Sequence, residues 1–459
     1  MARTTMKDLT QGNPMKLVFG FTVPLLFGFL FQQLYSFVDT AIVGKYLGSE
    51  ALAAVGSTGS INFLILGFCM GICSGFAIPI AQAFGAKDET ELRRCVFNAG
   101  VLCAAISVAM GVITAVLCPW ILRMMNTPPE IIDNAVAYIQ PVFACIPVTV
   151  LYNMSSGILR SLGDSKTPVK FLTMAALINI VLDLVFILWF KMGVAGAAWA
   201  TVISQLCSGV GCVIVMIRRF PILRMTADDR RFRPQMATRL LGMGLPMGLQ
   251  FSITAIGSVV IQTAINGLGT VAVAAVTAGS KLSMFFCCVI DALATTMATF
   301  AGQNVGARKV DRVHEGLRAA SIIGSAYCIL AFVVVWLFGK ALIGLFVEGG
   351  DVEVIDKAYH YLMVNSVLYV PLLFVNILRL SIQGMGYTRM AMFAGVMEMF
   401  ARSGVALLLV PFFGFEAACF ANPAAWIAAD LFLFPCYFHV LNRLRRHLGV
   451  APVGEKRML

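Results

Sequence analysis

Two carboxylates, Asp39 and Asp183, stand where the surrounding sequence is apolar for whole helical turns. An ionisable group at the centre of a membrane span costs about 2.5–3.5 kcal/mol on insertion scales, so each acid needs a partner or a task. Asn179 lies four residues before Asp183 and therefore one turn away on the same helix face. Thr201, on the next apolar stretch, adds a hydroxyl oxygen, and Gln32, Gln33 and Tyr35 make the approach to Asp39 unusually polar. Desolvation disfavours the charged form of a carboxyl, which suits a group that loads a proton on one side of a barrier and releases it on the other. The same oxygens suit a hard cation such as Na⁺. The plainer alternative is a hydrogen-bonded pair joining two helices, which contributes about 0.6 kcal/mol on average in a membrane.

The second half of the chain carries a different set. Glu398 and Arg402, four apart, can neutralise each other or pair elsewhere. Asp291 and Asp430 are further acids in apolar surroundings and are candidates for an ion relay or a substrate contact. Methionine repacks around dissimilar ligands, so Met243, Met247 and Met284, with Phe285, are candidates for a soft lining. Pro24 precedes Asp39 on one stretch. A proline frees a backbone carbonyl and permits a bend, so Pro24 is the candidate gating bend that would move the segment bearing Asp39.

Membrane-spanning helices must position these groups. Charged residues are 12% of the chain, against about 25% in soluble domains, and hydrophobic residues are 59%. Ala51 to Ala86 carries no charge, more than the length of about 20 residues that one span needs. Twelve apolar spans are predicted, at 17–43, 51–80, 95–119, 132–159, 169–190, 193–217, 240–266, 272–301, 316–339, 355–381, 390–412 and 417–441. Of the 34 lysines and arginines, 26 fall on the two tails and the even-numbered connections, and five fall on the opposite side. Lys281, Arg379 and Arg402 lie inside or beside spans. This bias places both termini of a multi-pass membrane protein in the cytoplasm. It also explains the net charge of +11 as topology and attraction to anionic lipid rather than nucleic-acid binding. Asp39 and Asp183 then share a depth in the outer half of the membrane.

The chain is written twice. LGSEALAAV at Leu47–Val55 returns as LGTVAVAAV at Leu268–Val276. QAFGAK at Gln82–Lys87 returns as QNVGAR at Gln303–Arg308, at the same offset. RSLGDSKTP at Arg160–Pro168 matches SIQGMGYTR at Ser381–Arg389 in kind, with the offset drifting slightly longer. Six spans per half is an even number, so the halves run parallel about an axis along the membrane normal. The predicted organisation is an N-lobe at 1–217, a charged cytoplasmic linker at 218–236 read as a solvated tether, a C-lobe at 237–441 and a basic tail at 442–459. At these offsets Asn179 corresponds to Arg402, Asp183 to Ala406 and Asp39 to Val260, so the second half lacks the acidic pair.

Several functions are disfavoured. The 13 cysteines show no C-x-x-C pair and the four histidines no cluster, so neither a disulfide framework nor a metal site is expected beyond a bound Na⁺. No G-x-x-x-x-G-K-[ST] loop is present for an ATP-driven pump, and no nucleophile–base spacing suggests a membrane-embedded enzyme. The opening stretch holds Arg3, Lys7, Asp8 and Lys16 before a full-length span, so no cleavable leader is expected.

Gln32–Val55 (QQLYSFVDTAIVGKYLGSEALAAV), Pro79–Gly85 (PIAQAFG) and Arg160–Pro168, in this order, resemble the multidrug and toxic compound extrusion (MATE) family, most of all its bacterial DinF- and MepA-like members. The resemblance covers essentially the whole chain. It implies an all-α membrane protein of twelve helices, with two six-helix lobes forming a V around a central cavity. It implies a cation-coupled antiporter, using H⁺ or Na⁺ and no organic cofactor, that exports amphipathic, cationic organic compounds; two lobes in one chain make a monomer the expected working unit. Asp39, Asp183, Asn179 and Thr201 match the family's N-lobe cation site, with Asn153 as a further member. Another branch of the family has an essential acid on span 7. This chain has none there, and the nearest polar candidate is Gln250, so that branch's coupling scheme is not expected. The family's Pro-then-Ala-Asp pattern in span 12 is also interrupted: Pro423 is followed by Ala424, Ala425 and Trp426, with Asp430 a turn later. The rival function is a flippase or exporter for lipid-linked or metabolite cargo. It would call for a strongly cationic cavity, for which Arg379, Arg402 and Lys281 are few and scattered.

Overall fold

The computed structural model describes residues 7–125, 127–345, 347 and 351–447, so Arg3, Lys456 and Arg457 lie outside the described residues, as does most of the basic tail. The first half comprises α1 (Pro14–Gly48), α2 (Glu50–Gly85), α3 (Glu89–Met124), α4 (Pro129–Ala144), α5 (Ile146–Ser161), α6 (Lys166–Trp189) and α7 (Val194–Arg219). The second comprises α8 (Pro234–Asn266), α9 (Thr270–Gly306), α10 (Val310–Gly344), α11 (Val352–Val367), α12 (Tyr369–Gly384), α13 (Thr388–Phe413) and α14 (Phe415–His447). Among the described residues ten helices are long and apolar enough to cross a membrane, and the number is twelve when the bent pairs α4–α5 (49°) and α11–α12 (52°) each count as one span. Pro147 and Pro371 sit in the first turns of α5 and α12. There a missing N–H costs no helical hydrogen bond and a bend is tolerated.

The duplication reaches the backbone. Gly48 and Gly269 (φ 86° and 95°), Lys87 and Arg308 (58° and 59°), Gly163 and Gly386 (83° and 95°), and Gly193 and Gly414 (62° and 58°) are all left-handed. The first, second and fourth pairs keep the offset that relates Leu47 to Leu268, and the third is two longer. Gly48, with ψ at −179°, separates α1 from α2 in a conformation that a side chain would strain. Both α6 and α13 pass into a π-helical turn, at Val185–Trp189 and Val405–Leu409.

Two compact units are present. One holds Lys7, Asp8 and the described residues of Phe27–Gly248; the other holds Leu9–Leu26 and the described residues from Leu249 to His447. The divisions fall inside α1 and α8, two residues after Pro24 and two after Pro246. In the first unit, Phe76, Leu92, Leu122, Ile139 and Phe143 form a core shared by α2, α3 and α4. The opening half of α8 packs on α2 through small residues. A Cβ on Gly75 would lie 2.5 Å from the Gly244 Cα, and one on Gly71 would lie 2.6 Å from the Met247 carbonyl oxygen. In the second unit the opening half of α1 is tied to α9 by a 2.9 Å hydrogen bond between the hydroxyls of Thr22 and Thr296.

The linker is not the solvated tether that its charge suggests. Arg93 Nε donates to Asp229 Oδ2 at 2.9 Å and Arg94 Nη2 to Asp228 Oδ2 at 2.8 Å. Asn98 Oδ1 accepts from the Arg233 backbone N–H at 2.8 Å. These bonds pin it along α3, and Asp229 is buried.

Candidate functional site

The sequence-predicted acids meet in the first unit. Asp39 comes from α1, and Asp183 and Asn179 from α6; they are 9%, 0% and 1% exposed. Asn179 Nδ2 donates to Thr201 Oγ1 on α7 at 3.4 Å. The carboxyls of Asp39 and Asp183 come within hydrogen-bonding reach of each other. As two ions neither can donate, so Asp39 Oδ1, both Asp183 oxygens and Asn179 Oδ1 stand buried without a donor. The same helices carry an apolar cluster, Ile42, Val43, Ile187, Val194 and Ala197, with Val38, Ile180 and Leu184 packed alongside.

Such a set of oxygens is incomplete without a cation or a proton. Two carboxylates, an amide oxygen and a hydroxyl oxygen form an all-oxygen donor set, which suits H⁺ or Na⁺ rather than a soft metal. Among the described residues no group of three or more His, Cys, Asp or Glu side chains could hold a metal ion. The π-helical turn that begins two residues after Asp183 is the kind of local irregularity often found beside functional groups.

Other expected residues are placed as follows. Tyr35, one turn before Asp39, lies close enough to feel both carboxylates. Tyr138 on α4 does so too; the charge and repeat patterns do not single it out, although a phenol inside an apolar span is a signal. Asn153 donates to the Thr149 carbonyl on its own helix at 2.8 Å. Gln32 and Gln33 are half-buried, Met284 is exposed, and Met243 and Phe285 are half-buried. Met247 is buried in the first unit.

In the second unit Gln250 is buried and accepts from Gln383 Nε2 at 2.6 Å. Glu398 and Arg402 do pair, with Arg402 Nη2 to Glu398 Oε2 at 3.3 Å, but Glu398 also receives Arg379 from α12. Arg402 Nε donates to Asn422 Oδ1 at 3.2 Å. Asp430 is half-buried, and Asp291 is exposed on α9.

A MatE family model matches residues 24–185 and, a second time, 246–408. The probable multidrug resistance protein YpnP of Bacillus subtilis (strain 168) is 31% identical, over 77% of this chain and 79% of its own. The DNA damage-inducible protein F of Escherichia coli (strain K12) is 25% identical, over 91% of this chain and 89% of its own. Among solved structures, the outward-facing conformation of a multidrug resistance MATE family transporter of the MOP superfamily superposes with a TM-score of 0.89. It covers 97% of this chain and 99% of its own at 22% identity.

Proposed function

This chain belongs to the MATE family of membrane transporters and is not an enzyme, and on that premise we propose that it is a cation-coupled antiporter exporting amphipathic, cationic organic compounds. The observation that carries the reading is the donor-free cluster of buried oxygens on Asp39, Asp183 and Asn179. An entering H⁺ or Na⁺ supplies the missing positive partner there, with Thr201 beside it. Ion binding favours release of the exported compound, and ion departure resets the carrier. Both termini face the cytoplasm of the inner membrane, as the lysine and arginine bias directs, and one chain is the working unit. A potential of 100 mV supplies about 2.3 kcal/mol per charge moved. That is less than two decades of accumulation at about 1.4 kcal/mol each, so the ion gradient itself must drive steeper efflux.

The test is efflux of a fluorescent lipophilic cation from proteoliposomes, with pH and Na⁺ gradients imposed separately. Wild type should respond to one of them, which identifies the ion. Asp39→Asn and Asp183→Asn should each abolish that response. Gradient-driven efflux surviving in both variants would place coupling elsewhere. No wild-type efflux under either gradient would turn the search to lipid-linked or metabolite cargo.

A further inference from the structure

The second unit contains the counterpart of the Asp39–Asp183 neighbourhood, with a guanidinium among its buried polar groups. Three correspondences define it. Tyr138 corresponds to Tyr361; the first packs on the apolar cluster of Ile42 and Ile187 near the two carboxylates, and the hydroxyl of the second accepts from Asn422 Nδ2 at 3.1 Å. Asn179 corresponds to Arg402, and Thr201 to Asn422. The bond from α6 to α7, Asn179 to Thr201, is thus repeated from α13 to α14 as Arg402 to Asn422. The left-handed glycines that bracket α6 and α13 set the register. The tyrosine pair and the Asn179–Arg402 pair keep the separation of Gly163 from Gly386, and Thr201 and Asn422 keep that of Gly193 from Gly414.

The two acids have no counterpart, since Ala406 and Val260 stand in their places. The negative charge comes from Glu398, one turn before Arg402 and 3% exposed. Two guanidiniums meet that carboxylate: Arg379 from α12, and Arg402, which is 7% exposed with Nη1 buried and without a partner. The first unit has carboxyl oxygens without a donor. The second has a guanidinium held by a carboxylate and an amide oxygen.

We propose that the Arg402 guanidinium is a tethered cation that permanently occupies the second unit's counterpart of the ion site. The first unit then exchanges an ion with solution while the second carries its own. This rests on the reading of Asp39 and Asp183 as the exchanging site. It assigns Arg402 a role distinct from an ordinary helix-joining pair: the positive charge, not the packing of the side chain, is what the site needs. It also explains why this half dispenses with an acidic pair. A fixed guanidinium needs one carboxylate and a neutral oxygen, whereas a mobile ion needs a fuller oxygen shell.

The test separates charge from shape. Arg402→Lys keeps a cation at the site, and Arg402→Met keeps comparable bulk without charge. Under the driving gradient, the lysine variant should retain efflux within about threefold of wild type. The methionine variant should fall by about tenfold or more, because the Asn422 side of the site then loses its cation while Arg379 still holds Glu398. Purified Arg402→Ala should be stabilised against heat by millimolar guanidinium, saturably, whereas wild type should show no saturable response. Equal efflux by the lysine and methionine variants, or an Arg402→Ala protein no more responsive to guanidinium than wild type, would overturn the proposal. Should Arg402→Ala not fold, the Lys–Met comparison decides alone. The guanidinium response is also to be measured with Asp39→Asn present. Its persistence there, with transport lost, separates this site from the exchanging one. If Asp39 and Asp183 prove dispensable for coupling while the guanidinium response holds, the exchanging-site reading fails, and only the requirement for a positive charge at Arg402 survives.

Discussion

Asp229 shows what a single carboxylate does outside the membrane. It accepts from the Thr226 backbone N–H and hydroxyl at 2.9 and 2.8 Å and from Arg93. The Thr226 backbone hydrogen bond, ahead of the Arg93 charge, holds its carboxyl below the usual carboxylate range. The folded value lies below the unfolded one, so its contribution is complete above the unfolded pKa of about 3.9 and is lost as pH falls through the folded value. Protease resistance of the linker should therefore be flat from neutral pH down to about 5 and should decline below about 4. Asp229→Asn should cleave faster than wild type at neutral pH; equal rates would show that the linker is held elsewhere. The two intramembrane acids and their amide and hydroxyl companions were legible in the sequence because isolated polar groups in apolar runs are conspicuous. Tyr138 was not. It meets the two acids across long sequence separations, and neither local period nor charge spacing encodes that.

Helices and their breaks were legible for a related reason. Span length, apolarity and proline are local properties, and both bent spans turn beside a proline already visible in the sequence. Interhelical contact was less so. The α2–α8 crossing rests on Gly71 and Gly75 against Met243–Gly248, at distances a methyl group cannot enter. Gly75→Ala should destabilise the purified protein by about 1–3 kcal/mol, the usual cost of overpacking. Gly242→Ala on α8 is the control, because its Cβ would meet nothing within 4 Å. It should stabilise by about 0.5–1 kcal/mol through helix propensity. Thermal unfolding in detergent reads both, and a Gly75→Ala protein as stable as wild type would show that the helices part easily.

At the scale of the whole molecule, neither unit is one contiguous half of the chain. The first needs the opening half of α8, and the second needs the opening half of α1. The repeat could be read from the sequence, but this exchange could not, because both units draw on the same apolar alphabet. Cutting the gene inside the linker tests it. Each fragment alone should be degraded or aggregate, and the two expressed together should restore a protein that binds and transports. A fragment that is monodisperse alone would contradict the exchange. The bond between Thr22 and Thr296 spans 274 residues. At a synthesis rate of about 5–20 residues per second, the opening turns of α1 wait roughly 14–55 s for their partner. The opening turns of α1 are thus seated only after α9 has been made. Messages truncated before α9 should yield products that quality-control proteases remove.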